Sequence, residues 1–268
     1  MIHYKSEYGI NLMRESCQIV YDTLKVIESN IRIGVTGKFL DKLADDYILY
    51  RGAVPSFKGY KGFPSSICIS INDEVVHGIP SDRELEDGDI VSIDCGAYKN
   101  GFHGDSAYTY EVGEVGEETK NLLRVTEEAL YKGIEQATVG NKLGDISYTI
   151  QSYVEDNGYS IVREYQGHGI GNDLHEDPQV PNFGQQHSGL ILTEGLVIAI
   201  EPMVNMGSHE VYVEDDGWTV CTKDNKPSAH FEHTVVIREG KAEILSGKDI
   251  LIFGKMCLGN MKQNRVMK

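Results

Sequence analysis

The chain has few of the features that mark secreted, membrane-spanning or disulfide-bonded proteins. Its five cysteines are odd in number and scattered along 268 residues, and none of them forms a C-x-x-C pair. That usage is typical of a reducing cytosol rather than of a disulfide framework. The first residues lack the apolar segment of a signal peptide, and no apolar run reaches the roughly 18–20 residues that a membrane helix needs. We therefore expect a cytoplasmic protein without a membrane partner.

Positive charge is also scarce in this sequence. The chain has 25 lysine and arginine residues against 41 aspartate and glutamate residues, which gives a formal net charge of −16 at pH 7. Nucleic-acid binding relies on clustered lysine and arginine at the phosphates, so we expect no direct nucleic-acid function. The final stretch, residues 247–268, differs from the rest because it is basic and aperiodic. We predict that it forms a C-terminal tail of unknown role.

The sequence contains one motif pattern that occurs twice, once in each half of the chain. Each copy has a His-Gly-Ile tripeptide, then an apolar run that ends in a carboxylate, then a second carboxylate eight residues before a glycine. The copies comprise His77-Gly78-Ile79, Asp94 and Asp105 in the first half, and His168-Gly169-Ile170, Glu201 and Glu232 in the second. A duplicated unit predicts two similar halves, over about 6–113 and 117–240, within a single domain over 1–246. Equivalent strand ends then converge across an approximate two-fold axis.

Apolar periodicity predicts the same elements in both halves. Helical spacing covers about 6–30 and the interval from Thr36 to Gly52 in the first half, and 117–137 and 143–157 in the second. Strands are predicted at 67–71, 90–94 and 196–201. The last two are apolar at nearly every position, which is typical of a sheet covered on both sides. The predicted fold class is α+β, with a curved, antiparallel-rich sheet covered by two helices per half.

The repeated carboxylates are the candidate functional residues. A single acidic residue on a strand is usually surface charge, but Asp94 and Glu201 each follow an apolar run that we expect to be buried. Buried carboxylates are costly unless they are paired or bind metal, and four of them in one place require cations. With His168, which lies between glycines, as a nitrogen donor, the set predicts a dinuclear metal site.

The donor chemistry favours hard cations at this site. Coordination that is rich in carboxylate and contains one histidine favours Mn²⁺ or Fe²⁺ over zinc. His77 and His175 remain open on the residues alone, because each could be a ligand, a proton donor or a loop residue.

Together the motifs resemble those of the type I methionine aminopeptidases, M24-like metallopeptidases with the pita-bread fold. The resemblance covers about residues 6–245 in order, and the interval from His175 to Glu201 has no room for the insert of the type II enzymes. The motifs that carry it are His77-Gly78-Ile79-Pro80, Ser92-Ile93-Asp94, Gly101-Phe102-His103-Gly104-Asp105-Ser106, Gly167-His168-Gly169-Ile170-Gly171, His175-Glu176-Asp177-Pro178, Glu201-Pro202-Met203 and Phe231-Glu232-His233-Thr234.

The resemblance implies a role for each repeated ligand residue. Asp94 would chelate a first divalent ion, and Asp105 and Glu232 would bridge two ions. His168 and Glu201 would complete the second site. The implied cofactors are two divalent metal ions, which are Mn, Fe or Co in preference to Zn.

The resemblance also implies catalytic and pocket residues. Glu201 would accept a proton from the attacking water, His77 would contact the scissile amide and His175 would hydrogen-bond the substrate carbonyl. The methionine side chain would bind beside His77 and His175, against a wall of apolar and soft side chains. This predicted wall consists of Tyr60, Phe63, Cys68, Leu174 and Trp218.

Three positions depart from the family pattern. Leu174 stands where the family often has an aromatic residue, Phe57 replaces a common cysteine and His230 replaces a common glutamine. We expect none of the three to contact a ligand residue. The departures would then affect the shape of the pocket rather than the activity.

The implied activity is that of a metal-dependent methionyl aminopeptidase, which hydrolyses the N-terminal methionine from nascent proteins and peptides whose second residue is small. The expected partners are nascent polypeptide N-termini, with the ribosome near the exit tunnel as a further candidate, and the expected state is a monomer. One alternative is a proline-directed peptidase of the same fold, which Glu201-Pro202-Met203-Val204 disfavours. A second alternative is a non-catalytic binding relative, which would have a broken ligand set.

Overall fold

The structure, a computed structural model, describes residues 1–248, so the predicted tail lies from residue 249 onward outside the described residues. The helices are α1 (Glu7–Glu28), α2 (Gly37–Tyr50), α3 (Glu117–Gln136) and α4 (Leu143–Asp156), with a short 3-10 turn at Tyr60–Gly62. The strands are β1 (Val54–Pro55), β2 (Ile67–Ile71), β3 (Glu74–Val76), β4 (Ile90–Lys99), β5 (Phe102–Glu111), β6 (Ser160–Ile161), β7 (Gly167–Gly169), β8 (Glu176–Val180), β9 (Val197–Ile200), β10 (Met203–Asn205), β11 (Val211–Val213), β12 (Val220–Thr222), β13 (Ser228–His230), β14 (His233–Val236) and β15 (Glu243–Ile244). None of the helices within residues 1–248 has the length and apolar character needed to cross a bilayer.

The first helix follows the apolar spacing of its sequence. The buried residues of α1 recur mostly at three- or four-residue intervals, which gives the helix one core-facing side. The Ser6 hydroxyl accepts a hydrogen bond from the Gly9 backbone N–H and caps the N-terminus. α1 ends at Glu28, two residues before the predicted boundary, because the side chains of Ser29 and Asn30 bond to carbonyls of its last turn.

All pairings between the named strands are antiparallel, and they form four hydrogen-bonded sheets. In the first half β4 pairs with β1, β2 and β5. In the second half the strand order is β15-β14-β9-β7-β8. The two smaller sheets have the orders β13-β10-β6 and β11-β12-β3. The antiparallel arrangement agrees with the prediction, although the sheet is divided into these four parts.

Each half has its own hydrophobic core. Residues of α1 and α2 pack with β2 and β4 in one core, and residues of α3 and α4 pack with β9 and β14 in the other. A third cluster joins the halves, since Met13 and Cys17 of α1 belong to it together with Val197 and Val236. This architecture, with two helices per half on antiparallel strands, confirms the predicted α+β fold class.

The two halves also meet through hydrogen bonds along β5. The Asp105 N–H donates to Thr234 Oγ1 at 3.2 Å, and that hydroxyl donates to the Asp105 carbonyl at 2.8 Å. Ser106 Oγ donates to the Glu232 carbonyl at 2.6 Å, and the Glu232 N–H donates to the Ala107 carbonyl at 2.9 Å. Residues 232–234 of the second half are thereby fixed against the strand that contains Asp105.

Candidate metal centre

Strand register places the two carboxylates of the first half on one face. Asp94 in β4 lies opposite Ala107 of β5, and Asp105 in β5 lies opposite Gly96. Because side chains alternate along a strand, Asp94 and Asp105 are diagonal neighbours on the same face of the β4–β5 hairpin. Both carboxyl groups line the same cavity.

The second half brings its three predicted ligands to the same cavity. β9 pairs with β14 so that Ile200 lies opposite His233, and Glu201 and Glu232 follow at the next position, just beyond both strands. His168 in β7 lies opposite Ala199, two residues before Glu201. The His168 Nε2 is 3.6 Å from Glu201 Oε1. All five predicted ligand residues therefore line one cavity.

Several carboxylate oxygens of this cluster are buried without a hydrogen bond. Asp94 Oδ1, Asp105 Oδ1 and Glu232 Oε1 have no hydrogen-bond partner among residues 1–248. Asp105 and Glu232 are only 4% and 2% exposed. Buried polar atoms in native proteins nearly always have a partner, and a divalent cation is a partner that several carboxylates can share. The residues present therefore fit the metal ions that the sequence predicts.

Burial and crowding favour the protonated form of these carboxyl groups in the absence of a cation. Burial raises the pKa of Asp94 to about 7, and it raises the pKa values of Asp105, Glu201 and Glu232 well above their usual range. The neighbouring carboxylates raise the pKa values of the latter three further, because like charges repel one another. Positive charge at the centre is what allows the whole cluster to ionise at neutral pH.

His168 presents one ring nitrogen to the carboxylates. Its Nδ1 lies 2.8 Å from the Gly169 carbonyl, which makes Nδ1 the donor and leaves Nε2 facing Glu201. Burial lowers the pKa of His168 to about 4, so the ring is neutral at pH 7. A neutral imidazole held by a backbone carbonyl is the usual form of a histidine metal ligand.

The other two predicted histidines reach the same cavity. The ring of His175 stacks on Tyr60 with centroids 5.2 Å apart and lies 4.2 Å from the ring of His168. His77 has a φ of 61°, in the left-handed region that few residues other than glycine and asparagine adopt. Its ring packs edge-on against Tyr165 at 5.4 Å, and burial lowers its pKa to about 4. The structure thus brings both imidazoles to the carboxylate cluster.

The potential ligand atoms form two groups of three that share Glu232. Atoms of Asp105, His168 and Glu232 lie within 4.8 Å of one another, and so do atoms of Asp94, His230 and Glu232. Two cations a few ångströms apart need a shared carboxylate to offset their repulsion. Although the sequence predicts no contact between His230 and a ligand residue, the end of β13 places a ring nitrogen of this side chain within 4.8 Å of carboxylate oxygens of Asp94 and Glu232.

Sequence reasoning treated His230 only as a departure from a family pattern, although the repeat contained a signal for it. His230 is two residues before Glu232, as His103 is two residues before Asp105. The two histidines have different surroundings, however. His103 Nδ1 lies 2.9 Å from Ser56 Oγ, so that one of its ring nitrogens has a hydrogen-bonding partner.

The cavity beside the cluster has an apolar wall and a volume of about 160 Å³. Phe63 and Trp218 meet edge to face in this wall, with ring centroids 5.2 Å apart. The apolar and soft side chains of this wall are those of Phe57, Tyr60, Phe63, Cys68, Leu174 and Trp218, and the charged Lys61 lines the cavity beside them. All five predicted pocket residues therefore line the cavity, together with Lys61, which sequence reasoning missed.

Three buried thiols lie near enough to the carboxylate cluster to be affected by its charge. Cys68 lines the cavity and lies opposite Asp94 in the β2–β4 register. Burial, with nearby carboxylates adding to it, raises the pKa of Cys17 to about 12 and the pKa values of Cys68 and Cys95 well above 9. These residues therefore stay protonated thiols, which are poor nucleophiles and poor metal ligands.

The fold and this centre are those of a metallopeptidase, and the sequence profile of metallopeptidase family M24 matches residues 11–239. The chain belongs to that family and, within it, to the methionine aminopeptidases. It is 54% identical to methionine aminopeptidase of Clostridium perfringens over 246 residues, which make up 92% of this chain and 99% of that protein. It is 52% identical to methionine aminopeptidase 1 of Bacillus subtilis over the same shares of both chains. This membership confirms the family resemblance seen in the motifs.

Solved structures agree with this placement. The crystal structure of methionine aminopeptidase from Rickettsia prowazekii superposes with a TM-score of 0.91 at 43% identity, over 92% of this chain and 100% of that chain. Prolidase from Pyrococcus furiosus superposes with a TM-score of 0.76 at 24% identity, over 92% of this chain and 66% of that chain. The prolidase likeness shows a common fold alone, so the fold does not distinguish the two kinds of peptidase.

Proposed function

We propose that this chain removes the N-terminal methionine from peptides and nascent polypeptides by metal-dependent hydrolysis, with residues 1–246 as the catalytic domain. The main support is the pair of donor groups that share Glu232 beside an apolar cavity. The high identity to methionine aminopeptidases over nearly the whole domain supports the same substrate class.

Asp94, Asp105, His168, Glu201 and Glu232 would hold two divalent ions. We propose Mn, Fe or Co in preference to Zn, because carboxylate oxygens dominate this donor set. When bound, such ions supply Lewis-acid activation of water and of a carbonyl group.

The side chains themselves would handle the proton and the substrate amide. Glu201, inside the cavity beside His168, would accept a proton from the attacking water. Burial and the neighbouring carboxylates raise the pKa of Glu201 in the metal-free protein, and bound cations would offset this effect and keep its carboxylate ionised, ready to accept the proton. His175 would donate a hydrogen bond to the carbonyl oxygen as charge develops there, and His77 would contact the scissile amide.

The apolar wall would bind the methionine side chain. A thioether is polarizable and unbranched, and it packs well against aromatic rings such as those of Phe63 and Trp218. A cavity of about 160 Å³ holds one such side chain. The following substrate residue would then lie close to the cavity wall, which is why we propose that it must be small.

The proposal is tested by methionine release from Met-Gly and Met-Leu peptides. Metal-stripped protein is refilled with each divalent ion, and the wild type is compared with Glu201→Ala. We expect Met-Gly to be cleaved far faster than Met-Leu, and the variant to lose roughly 10²–10⁴-fold in rate. Glu117→Ala is a matched control because the Glu117 side chain is 91% exposed.

Two outcomes would contradict separate parts of the proposal. Equal cleavage of both peptides would refute the size rule at the second residue. Turnover that survives complete metal removal would refute the mechanism. Preferential cleavage of an Xaa-Pro peptide would instead favour the proline-directed alternative.

The setting of the activity is part of the proposal. We propose that the substrates are the N-termini of nascent polypeptides, met near the ribosomal exit tunnel in the cytoplasm. The monomeric state, ribosome contact and cytoplasmic location stay predictions, and the first two are accessible to sedimentation of the protein alone and with ribosomes.

A further inference from the structure

His230 is a buried histidine with neither ring nitrogen in a hydrogen bond. The residue is only 1% exposed, and neither Nδ1 nor Nε2 has a partner within residues 1–248. A neutral imidazole has one donor and one acceptor nitrogen, and burying both without partners costs free energy. Such an arrangement indicates that another group completes the surroundings of the ring.

The backbone of His230 is held firmly in place. Its N–H donates to Thr109 Oγ1 at 2.9 Å, and the same hydroxyl lies 2.8 Å from the His230 carbonyl, to which it donates. β13 also pairs with β10, where His230 lies opposite Met203. The side chain is therefore presented from a rigid strand end.

The ring lies next to two of the residues that would hold metal. A ring nitrogen of His230 and carboxylate oxygens of Asp94 and Glu232 all lie within 4.8 Å of one another. Asp94 Oδ1 and Glu232 Oε1 are themselves buried and unpartnered among the described residues. Three different residues, each with a buried polar atom that has no partner among residues 1–248, thus bring potential ligand atoms close together.

We propose that His230 is an additional metal ligand, which gives the Asp94 side of the centre an imidazole nitrogen. The inference rests on the proposed metal centre and adds a residue to its donor set. Each side then has one histidine, His168 on one and His230 on the other, and both share Glu232. Imidazole favours Co²⁺, Fe²⁺ and Zn²⁺ relative to Mn²⁺, so His230 raises the affinity of this side for the former ions.

The direct test counts histidines bound to metal. Protein labelled with ¹⁵N-histidine is loaded with Co²⁺, which strongly shifts the ring N–H proton signals of coordinated histidines. We expect His230→Gln, the residue that the family commonly has here, to show one fewer shifted histidine signal than the wild type. His168→Gln should retain the shifted signal of His230. Either variant alone therefore shows whether His230 binds the metal, even if the other variant fails to fold.

A second measurement follows the affinity for the ions. Competition with a chromophoric chelator should show that His230→Gln weakens Zn²⁺ binding by about tenfold or more, while Mn²⁺ binding changes much less. His187→Gln is the matched control, because the His187 side chain is 77% exposed. We expect its spectrum and its affinities to equal those of the wild type.

The outcomes separate this inference from the proposed function. If the wild type binds divalent ions and His230→Gln leaves both the shifted signals and the Zn²⁺ affinity unchanged, His230 is not a ligand and only the inference fails. If the wild type shows no shifted histidine signal and no binding of either ion, the metal centre itself fails, and with it the proposed function.

Discussion

At the scale of single residues, the centre is a cluster of buried carboxyl groups that can all ionise at neutral pH only when cations offset their charge. Asp105 and Glu232 are almost completely buried, and each has an oxygen without a hydrogen bond among residues 1–248. Buried carboxyl groups without partners destabilise the metal-free protein, so they are not expected in a core that serves stability alone. Their presence here therefore indicates a functional site.

The loss of folding stability that the buried carboxyl groups cause in the metal-free protein can be measured at Asp94. Its pKa in the folded protein is about 7, against 3.8 for the ordinary carboxyl. The unfolded chain therefore releases this proton at lower pH than the folded protein does, and stability falls as pH rises between these two values. We expect Asp94→Asn to be more stable than the wild type above about pH 7 in the absence of metal, by on the order of 2–4 kcal/mol.

Urea unfolding in the presence of a chelator, repeated across the pH range, measures this difference. The advantage of Asp94→Asn should disappear below pH 3.8, where the carboxyl is protonated in both states. Added divalent ions should reverse the order, because the variant lacks a ligand. A metal-free variant that is less stable than the wild type at every pH would show that Asp94 is not strained by burial.

At the scale of elements, the position of Asp105 depends on close packing between α1 and β5. A Cβ added at Gly104 would lie 2.6 Å from the backbone nitrogen of Cys17 and 2.8 Å from its Sγ. The helix backbone cannot rotate away as a side chain would. Glycine beside Asp105 therefore allows the strand that contains this proposed ligand to pack directly on α1.

Gly104→Ala should separate α1 from β5 and displace Asp105. We expect a loss of about 1–3 kcal/mol in the free energy of unfolding, together with weaker binding of divalent ions. Gly116→Ala is the control, since no described atom lies within 4 Å of its added Cβ, and it should cost less than about 1 kcal/mol. Chemical denaturation and metal titration of both variants measure these effects. Equal losses in the two variants would show that packing at Gly104 does not position the ligand.

The elements and most of the site were predictable from the sequence because their signals are local or repeated. Thr36 caps α2 as predicted, since its side chain accepts a hydrogen bond from the Phe39 N–H. Register in two antiparallel strand pairs, β4–β5 and β9–β14, is enough to bring Asp94 near Asp105 and Glu201 near Glu232. The repeated motifs therefore indicate from the sequence alone which carboxylates converge.

The proximity of His230 to Asp94 could not be predicted in the same way. The two residues are far apart in sequence, and they meet only because the halves pack together along β5. The direction of the His230 side chain depends on the end of β13, where the chain leaves one sheet before it enters β14 in another. Neither the apolar periodicity of the sequence nor the spacing of its motifs predicts where the chain passes from one sheet to another.

At the scale of the whole molecule, the proposed ligands come from both halves, so metal binding would add to the contacts that already join the halves. Asp94 and Asp105 belong to the first half, and Glu232 belongs to the second. The Thr234 hydroxyl bonds both the N–H and the carbonyl of Asp105 across the boundary. A ligand that binds only the folded protein stabilises it by mass action, by about 2.7 kcal/mol at a free concentration of 100 times Kd.

Thr234→Val removes the hydroxyl with little change in shape. We expect a loss of about 1–3 kcal/mol in the free energy of unfolding, because the buried Asp105 backbone groups lose this partner. We also expect weaker metal binding, since Asp105 then has more freedom. Chemical unfolding with and without divalent ions, followed by circular dichroism and by Trp218 fluorescence, measures both effects. Unchanged stability and unchanged metal affinity in the variant would show that this link does not hold the halves together.

The buried thiol at the cavity wall has a consequence for inhibitor design. Cys68 lines the proposed methionine pocket, which makes it an obvious target for covalent inhibitors placed there. Such electrophiles react with the thiolate, and a pKa well above 9 leaves almost no thiolate at physiological pH. Reversible compounds that combine a chelating group with a small apolar arm are therefore a better starting point than acrylamides or chloroacetamides.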